Sequence, residues 1–307
     1  FSTDRSFRFA DTENTVVTDS YYRNDVFSVL GYRKITRRLP FQTGKRGLYG
    51  IPSLNMTARD FFMTTNFAYS RKSDAWLYVL PKRVASPELS MFCSHLLGEL
   101  ETRRNQMEDP YTFRGIREYT YGDTYGKINW KATAKASKLM VNMYGYTSEQ
   151  RVRILLNLET NIMVKTEYLQ EMSIRMAGTI AEYFLQHKVS VELVSNGIDC
   201  MTGACERVEA GMSMEHGETI DKYLARIKEN AGIDAFMQMV DTEIQQMEEP
   251  ITYVIISPYY KEDLLLKLDY MHKKHPELHM VVPYYDIQDK TGWRGYMQGV
   301  EVKWNEI

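Results

Sequence analysis

From Phe1 to about Arg83, apolar residues come in short runs broken by polar turn residues, and no helical period fits them. Thr15–Thr18, Val26–Leu30, Ile35–Phe41, Leu48–Met56 and Ala75–Leu80 read as strands, with turn chemistry such as Lys45-Arg46-Gly47 between them. A small antiparallel, sandwich-like β module over residues 1–83 is the economical expectation. Pro81 and Pro87 bracket a linker, and after Ser86 the period changes. Glu88–Arg103 reads as a helix with Leu89, Phe92, Leu96 and Leu100 on one face. Arg151–Leu158 follows as a strand whose Ile154-Leu155-Leu156 suits a position covered on both faces. Glu167–His187 is an amphipathic helix carrying Leu169, Met172, Met176, Ile180 and Phe184, with Thr166 as a candidate N-cap.

Val189–Val194 reads as the next strand, and Asn196–Met214 as a hairpin or irregular loop. Glu218–Asn230 and Asp234–Met247 are two helices split at Gly232. Ile251–Ile256 is a strand, Lys261–Lys274 a helix and His279–Pro283 a strand. Strands and helices alternating at these spacings predict a largely parallel, doubly wound α/β domain over residues 84–307.

Composition narrows the function classes. The 307 residues suit two domains, each able to bury a core, and 44% hydrophobic with 25% charged residues is ordinary for globular protein. A net charge of -2 offers no broad basic field for nucleic acid. Three cysteines, Cys93, Cys200 and Cys205, are too few for a disulfide framework. No apolar run is long enough to span a bilayer. One local exception is the basic run Arg33, Lys34, Arg37, Arg38, Lys45 and Arg46, which has no acid within it. It reads as a solvated sheet face, or as a contact for anionic lipid headgroups.

Residues 114–144 carry the densest signal, with Arg117-Glu118-Tyr119, Gly122-Asp123 and Ile128-Asn129-Trp130-Lys131-Ala-Thr-Ala-Lys135 close together ahead of the α/β pattern. Gly122-Asp123 reads as a turn, and Arg117, Glu118 and Asp123 as an ion-pair cluster. Ile128, Trp130 and Ala134 are expected to point inward, with Lys127, Lys131, Lys135 and Lys138 on the wet side. The stretch admits two compatible readings, a clasp between the domains and a docking surface for a protein partner.

These groups resemble the signature of a bacterial family known as domain of unknown function fifty-eight. Lys45-Arg-Gly-Leu-Tyr49, Arg59-Asp-Phe-Phe62 and Tyr78-Val-Leu-Pro81 resemble the module that precedes that signature. The resemblance implies a β-rich module joined to a von Willebrand factor A-like domain, and a MoxR-type AAA+ ATPase as partner. It also implies a pair of membrane helices ahead of Phe1, and so a tethered protein whose soluble part faces the cytoplasm. Gly126 stands where the family usually has Arg, and Asn129 where His is common.

Von Willebrand A-type domains hold magnesium on an Asp-x-Ser-x-Ser loop after their first strand, where small oxygen ligands meet a carboxylate. The matching residues here are Asn157, Glu159 and Asn161, with Thr160 between the last two and Ser257 after a later strand. This degenerate loop is expected to satisfy itself by internal hydrogen bonds and to hold no tight divalent ion. His272, His275 and His279 read as a solvated helix end and the start of a strand. The cysteines lack a neighbouring base, and no cofactor motif is present. The expectation is therefore a non-enzymatic interaction scaffold or adaptor. The alternatives are a hydrolase or other enzyme with a site assembled from distant residues, and a metal-dependent adhesion module.

Overall fold

The computed structural model describes residues 7–9, 26–29, 31–36, 38, 41–106, 108–146, 150–159, 166–228, 235–246, 251–284 and 292–301. Among the described residues the first element is β1 (Phe7–Phe9), paired antiparallel to β2 (Phe41–Thr43). A long antiparallel hairpin follows, formed by β3 (Gly47–Arg59) and β4 (Asn66–Val79) with a bulge between Ile51 and Ser53. The expected strands at Leu48–Met56 and Ala75–Leu80 lie within or along this hairpin. Residues 26–29 and 31–36 are not strands, which corrects that part of the reading. Their apolar positions are exposed, Val26 at 70% and Val29 at 57%, so the alternation has no sheet face to bury against. The expected strand at Thr15–Thr18 lies outside the described residues.

Helix α1 (Pro87–Gln106) is capped by the Ser86 hydroxyl, which accepts from the Leu89 amide at 3.3 Å. Leu89, Cys93, Leu96 and Leu100 form its buried stripe, while Phe92 packs at the edge of the core. The signature stretch builds β5 (Glu108–Glu118), a 3-10 turn at Tyr125–Lys127, α2 (Trp130–Ala136) and β6 (Met140–Tyr146), with β5 and β6 antiparallel.

The remaining elements are β7 (Arg151–Leu156), α3 (Thr166–Gln186), β8 (Ser190–Ser195), β9 (Ile198–Asp199), β10 (Arg207–Gly211), α4 (Met214–Arg226), β11 (Ile227–Lys228), α5 (Ala235–Gln245), β12 (Ile251–Ile256), α6 (Glu262–Lys274), β13 (Leu278–Tyr284) and β14 (Met297–Glu301). The helix expected at Glu218–Asn230 is corrected: it starts at Met214, where Ser213 caps it, and ends at Arg226, because Ile227 and Lys228 pair with β9 as a strand. Six strands form one sheet in the order β10-β8-β7-β12-β13-β14. Every pairing in it is parallel except β10 with β8. Side-chain alternation sorts the sheet into two cores. Val152, Ile154, Leu156, Val254 and Ile256 pack with α1, α3 and α4, whereas Leu155, Tyr253, Ile255, Met280 and Val282 pack with α5 and α6. This is a mixed α/β unit of Rossmann-like organisation.

One charged cluster is built into the second core. Arg153 donates to Glu192 at 2.7 Å and also pairs with Glu243 of α5, and Arg207 of the edge strand bonds the same two carboxylates. The side chains of Arg153, Glu192 and Glu243 are 6%, 3% and 3% exposed. Two cations facing two anions make that burial tolerable, and the cluster ties α5 to β7, β8 and β10.

The N-terminal hairpin is fastened to the α/β unit at its base. Arg46 donates to Glu171 at 2.7 Å and to the carbonyls of Leu224 and Ile227 at 2.6 and 2.9 Å, so a cation satisfies the last carbonyls of α4. Lys45 pairs with Glu167. Arg83 grips Asp221 through both terminal nitrogens, at 2.8 and 2.6 Å, and pairs with Glu182. The linker runs along α3, with the Val84 amide donating to the Thr179 hydroxyl at 2.9 Å and Arg175 donating to the Lys82 carbonyl at 2.9 Å. Gly178 permits this approach, because a Cβ there would lie 2.6 Å from an Arg83 nitrogen.

Candidate functional site

In an open α/β sheet, ligands sit outside the carboxyl ends of the strands, where the strand order reverses. Here that place lies between β7 and β12, because β8 and β10 extend the sheet one way and β13 and β14 the other. Asn157 follows β7 and Ser257 follows β12, and both are fully buried. Asn157 Nδ2 donates to Ser257 Oγ at 2.9 Å, and Asn157 Oδ1 accepts from the Glu159 amide at 2.8 Å and from Asn196 Nδ2 at 3.0 Å. Asn196 Oδ1 in turn accepts from the Leu158 amide at 2.9 Å, and the Ser257 hydroxyl donates to the Tyr259 carbonyl at 2.7 Å.

This network answers whether the edge suits a magnesium ion. The Asn157 amide presents donor hydrogens to Ser257, where a cation would need two lone pairs. Glu159, the carboxylate of this loop, accepts from the Phe236 amide at 3.0 Å and so serves the N-terminal turn of α5. These residues do not fit a divalent ion. Thr160 and Asn161 lie outside the described residues.

Beside this edge, the base of the hairpin and the start of α3 enclose a groove of about 790 Å³. Tyr49 and Trp76 line one side, Gln170, Met201 and Arg226 the other. Lys45, Arg46 and Arg226 each face a carboxylate there, with Arg226 2.8 Å from the buried Asp199. Gln170 Nε2 donates to the Leu158 carbonyl at 2.6 Å.

The signature stretch is a compact unit on the surface. Gly122, at φ +111, takes the third position of the turn closed by the Asp123 amide bonding the Thr120 carbonyl at 3.0 Å. Asp123 accepts both Arg117 nitrogens at 2.7 and 2.6 Å and the Thr120 amide at 2.8 Å. These bonds, Arg117 foremost, hold its carboxyl well below the usual range. Glu118 instead pairs with Lys138 at 3.0 Å, and Tyr119 stacks on Tyr125 with centroids 6.3 Å apart.

Asn129 is the N-cap of α2. Its side chain accepts from the Ala132 amide at 2.9 Å and donates to Asn142 at 2.7 Å. Ile128 is buried as expected, but Trp130 is 69% exposed and Ala134 is exposed. This corrects the inward reading of both: α2 has only seven residues, and no residue of it is buried. Trp130 therefore shares the outer surface with Lys131, Lys135, Tyr121 and Tyr125.

The other candidates separate from these sites. His275 is 8% exposed and packs edge-on to Tyr253, and burial pushes His279 below its ordinary value although Glu99 lies 3.3 Å away. They are packed groups rather than a solvated helix end. Burial pushes the Cys93 thiol up to about 12, which removes thiolate character, and partial desolvation raises the exposed Cys205 above its ordinary value. Arg33, Lys34 and Arg38 are exposed, Arg37 lies outside the described residues, and Lys45 and Arg46 are withdrawn from the run by their glutamates. Among the described residues no helix is long and apolar enough to cross a membrane. No family model matches this chain, and no curated protein matches it.

Of the groups that fasten the hairpin, Arg46 was read only as part of a turn and a basic run, and Arg83 was not singled out from the sequence. Their partners lie more than 90 positions away, from Arg83–Glu182 to Arg46–Glu171, and no local pattern marks such pairs. Asn196 was equally hidden, as an amide in a loop 38 residues from the backbone it holds.

Proposed function

We propose that this chain is a non-enzymatic interaction adaptor whose docking face is the surface of the signature stretch. Exposed Trp130 carries the reading. A tryptophan held on a capped helix that also carries two exposed lysines, with Tyr121 and Tyr125 exposed in the preceding turns, offers aromatic anchors and a cationic rim for a partner. The Arg117–Asp123 pair and the Asn129 cap hold that face in place before binding, which lowers the ordering penalty of association.

The finer assignments belong to this proposal. The reversal of strand order between β7 and β12, with a hydrogen-bonded amide loop at the reversal, supports a von Willebrand A-like unit with a degenerate metal site. The β3–β4 hairpin and the β1–β2 pair support a β-rich N-terminal module. Resemblance supplies the partner, a MoxR-type AAA+ ATPase, and tethering of the full-length protein to a membrane at its cytoplasmic side. The exposed Arg33, Lys34 and Arg38 suit anionic headgroups.

Tagged chain, cross-linked in cells of its source and purified, is expected to carry an ATPase of this type, identified by mass spectrometry. Lys131→Glu with Lys135→Glu should abolish that capture while the melting temperature holds. Undiminished capture by the double variant would remove the docking face from the account.

A further inference from the structure

We propose that the β3–β4 hairpin is a shallow wedge that inserts its tip into an anionic lipid bilayer. At the far end of the hairpin, Phe61, Phe62 and Met63 are 93%, 80% and 78% exposed. The turn that presents them is built. The Asp60 carboxylate accepts from the Thr65 amide at 3.0 Å and from the Thr64 hydroxyl, and the Met63 amide bonds the Asp60 carbonyl at 3.1 Å. Met63 sits at φ +56, where glycine or asparagine would be the easy choice, so an apolar side chain occupies a position that backbone preference disfavours.

The register then orders the hairpin by depth. Pairs Ala58–Phe67, Met56–Tyr69 and Leu54–Arg71 put their side chains on one face, and the intervening Thr57–Ala68, Asn55–Ser70 and Ser53–Lys72 on the other. Phe67, Tyr69, Met56 and Leu54 are 67%, 58%, 54% and 46% exposed, so the apolar face is open to solvent. Moving from tip to base along the apolar face, the side chains change from Phe67 to Tyr69 and then to Arg71, about 14 Å behind Phe67 at strand rise, while Arg59 stands at the tip and Lys72 near the base on the opposite face. On that face the order is that of a monolayer, hydrocarbon, aromatic interface, phosphate, and the long Arg59 side chain on the other face can reach back to the headgroups.

Charge favours a bilayer over a protein groove. Residues 26–79 hold nine Lys and Arg against two Asp, in a chain whose total is -2. Arg59, Arg71 and Lys72 are exposed and unpaired among the described residues. A basic ribbon with one apolar face and an apolar tip is the strand counterpart of an interfacial amphipathic helix. Asp60, kept ionised by its hydrogen bonds to Thr64 and Thr65, limits entry to the interfacial layer.

This inference does not rest on the adaptor reading, since vesicle binding and ATPase capture can fail separately. The test is flotation of the full chain with vesicles of equimolar phosphatidylcholine and phosphatidylglycerol, and with phosphatidylcholine alone. Binding is expected only to the first. Phe61→Ser, Phe62→Ser and Met63→Ser together should weaken it about a hundredfold by removing three inserted side chains. The melting temperature should stay unchanged, because the tip is outside the core. Phe61→Trp should shift its emission to the blue on the anionic vesicles and be quenched by lipid brominated near the headgroup. Absence of anionic binding, or binding that the triple variant retains, overturns the proposal. It is also overturned if binding is lost only on charge reversal of Arg33, Lys34 and Arg38, or if the tip instead drives self-association without lipid.

Discussion

Replacing Asn157 with aspartate restores the carboxylate that a magnesium loop needs, and is expected to destabilise this protein. The amide has no exposed surface and holds three contacts, to Ser257 at 2.9 Å, the Glu159 amide at 2.8 Å and Asn196 at 3.0 Å. Aspartate keeps the two accepted bonds but loses the donor to Ser257. The Ser257 hydroxyl must then abandon the Tyr259 carbonyl, or two oxygens face each other. The lost bond and the buried charge together cost about 3–5 kcal/mol. At about 2–3 kcal/mol per molar, that moves the urea midpoint down by about 1–2 M.

Equilibrium unfolding in a chelating buffer is the assay. Protonation lets the new carboxyl donate to Ser257, so burial raises its pKa and the deficit should shrink as pH falls. Magnesium should narrow the deficit of Asn157→Asp and leave the native chain unmoved. A variant as stable as the native protein in chelator, or equal stabilisation of both by magnesium, would refute the view that this amide network shapes the edge.

Arg83→Ala should cost about 2–4 kcal/mol by stranding Asp221, and speed chymotryptic cleavage near Tyr78, where the hairpin meets its linker. Glu243→Ala leaves two guanidinium groups sharing Glu192 and is expected to cost about 3–5 kcal/mol in urea unfolding, with Glu243→Gln milder. His279 binds its proton less readily folded than unfolded because burial disfavours the charged form. Its contribution is therefore complete above the ordinary value of 6.5 and is lost as pH falls below it. Thermal melts across that window should show the slope, and His279→Gln should flatten it.

How much was legible follows from how far each interaction reaches along the chain. The helix at Glu167–His187 and the strands at Arg151 and Ile251 were visible because periodic burial is a local signal, and the structure places them within a residue or two. Strand β14 was missed, since Met297–Glu301 alternates with Gln and Gly and borrows its register from β13. Trp130 was misread because an aromatic at helical spacing usually faces a core, and α2 is too short to bury one. The loop after β7 was read as a degenerate metal loop from its amides alone, and the bond from Asn157 to Ser257 fits that reading. That Asn196 completes the loop could not be read, because that contact exists only once β7 and β8 are paired.

The docking claim is tested most directly by calorimetric titration of a purified MoxR-type ATPase from the same source into the native chain and into Trp130→Ala. The account predicts measurable binding that falls at least about thirtyfold on loss of the anchor, a hot-spot effect of about 2 kcal/mol or more. Equal affinity for the two chains, or no binding to either, would contradict it.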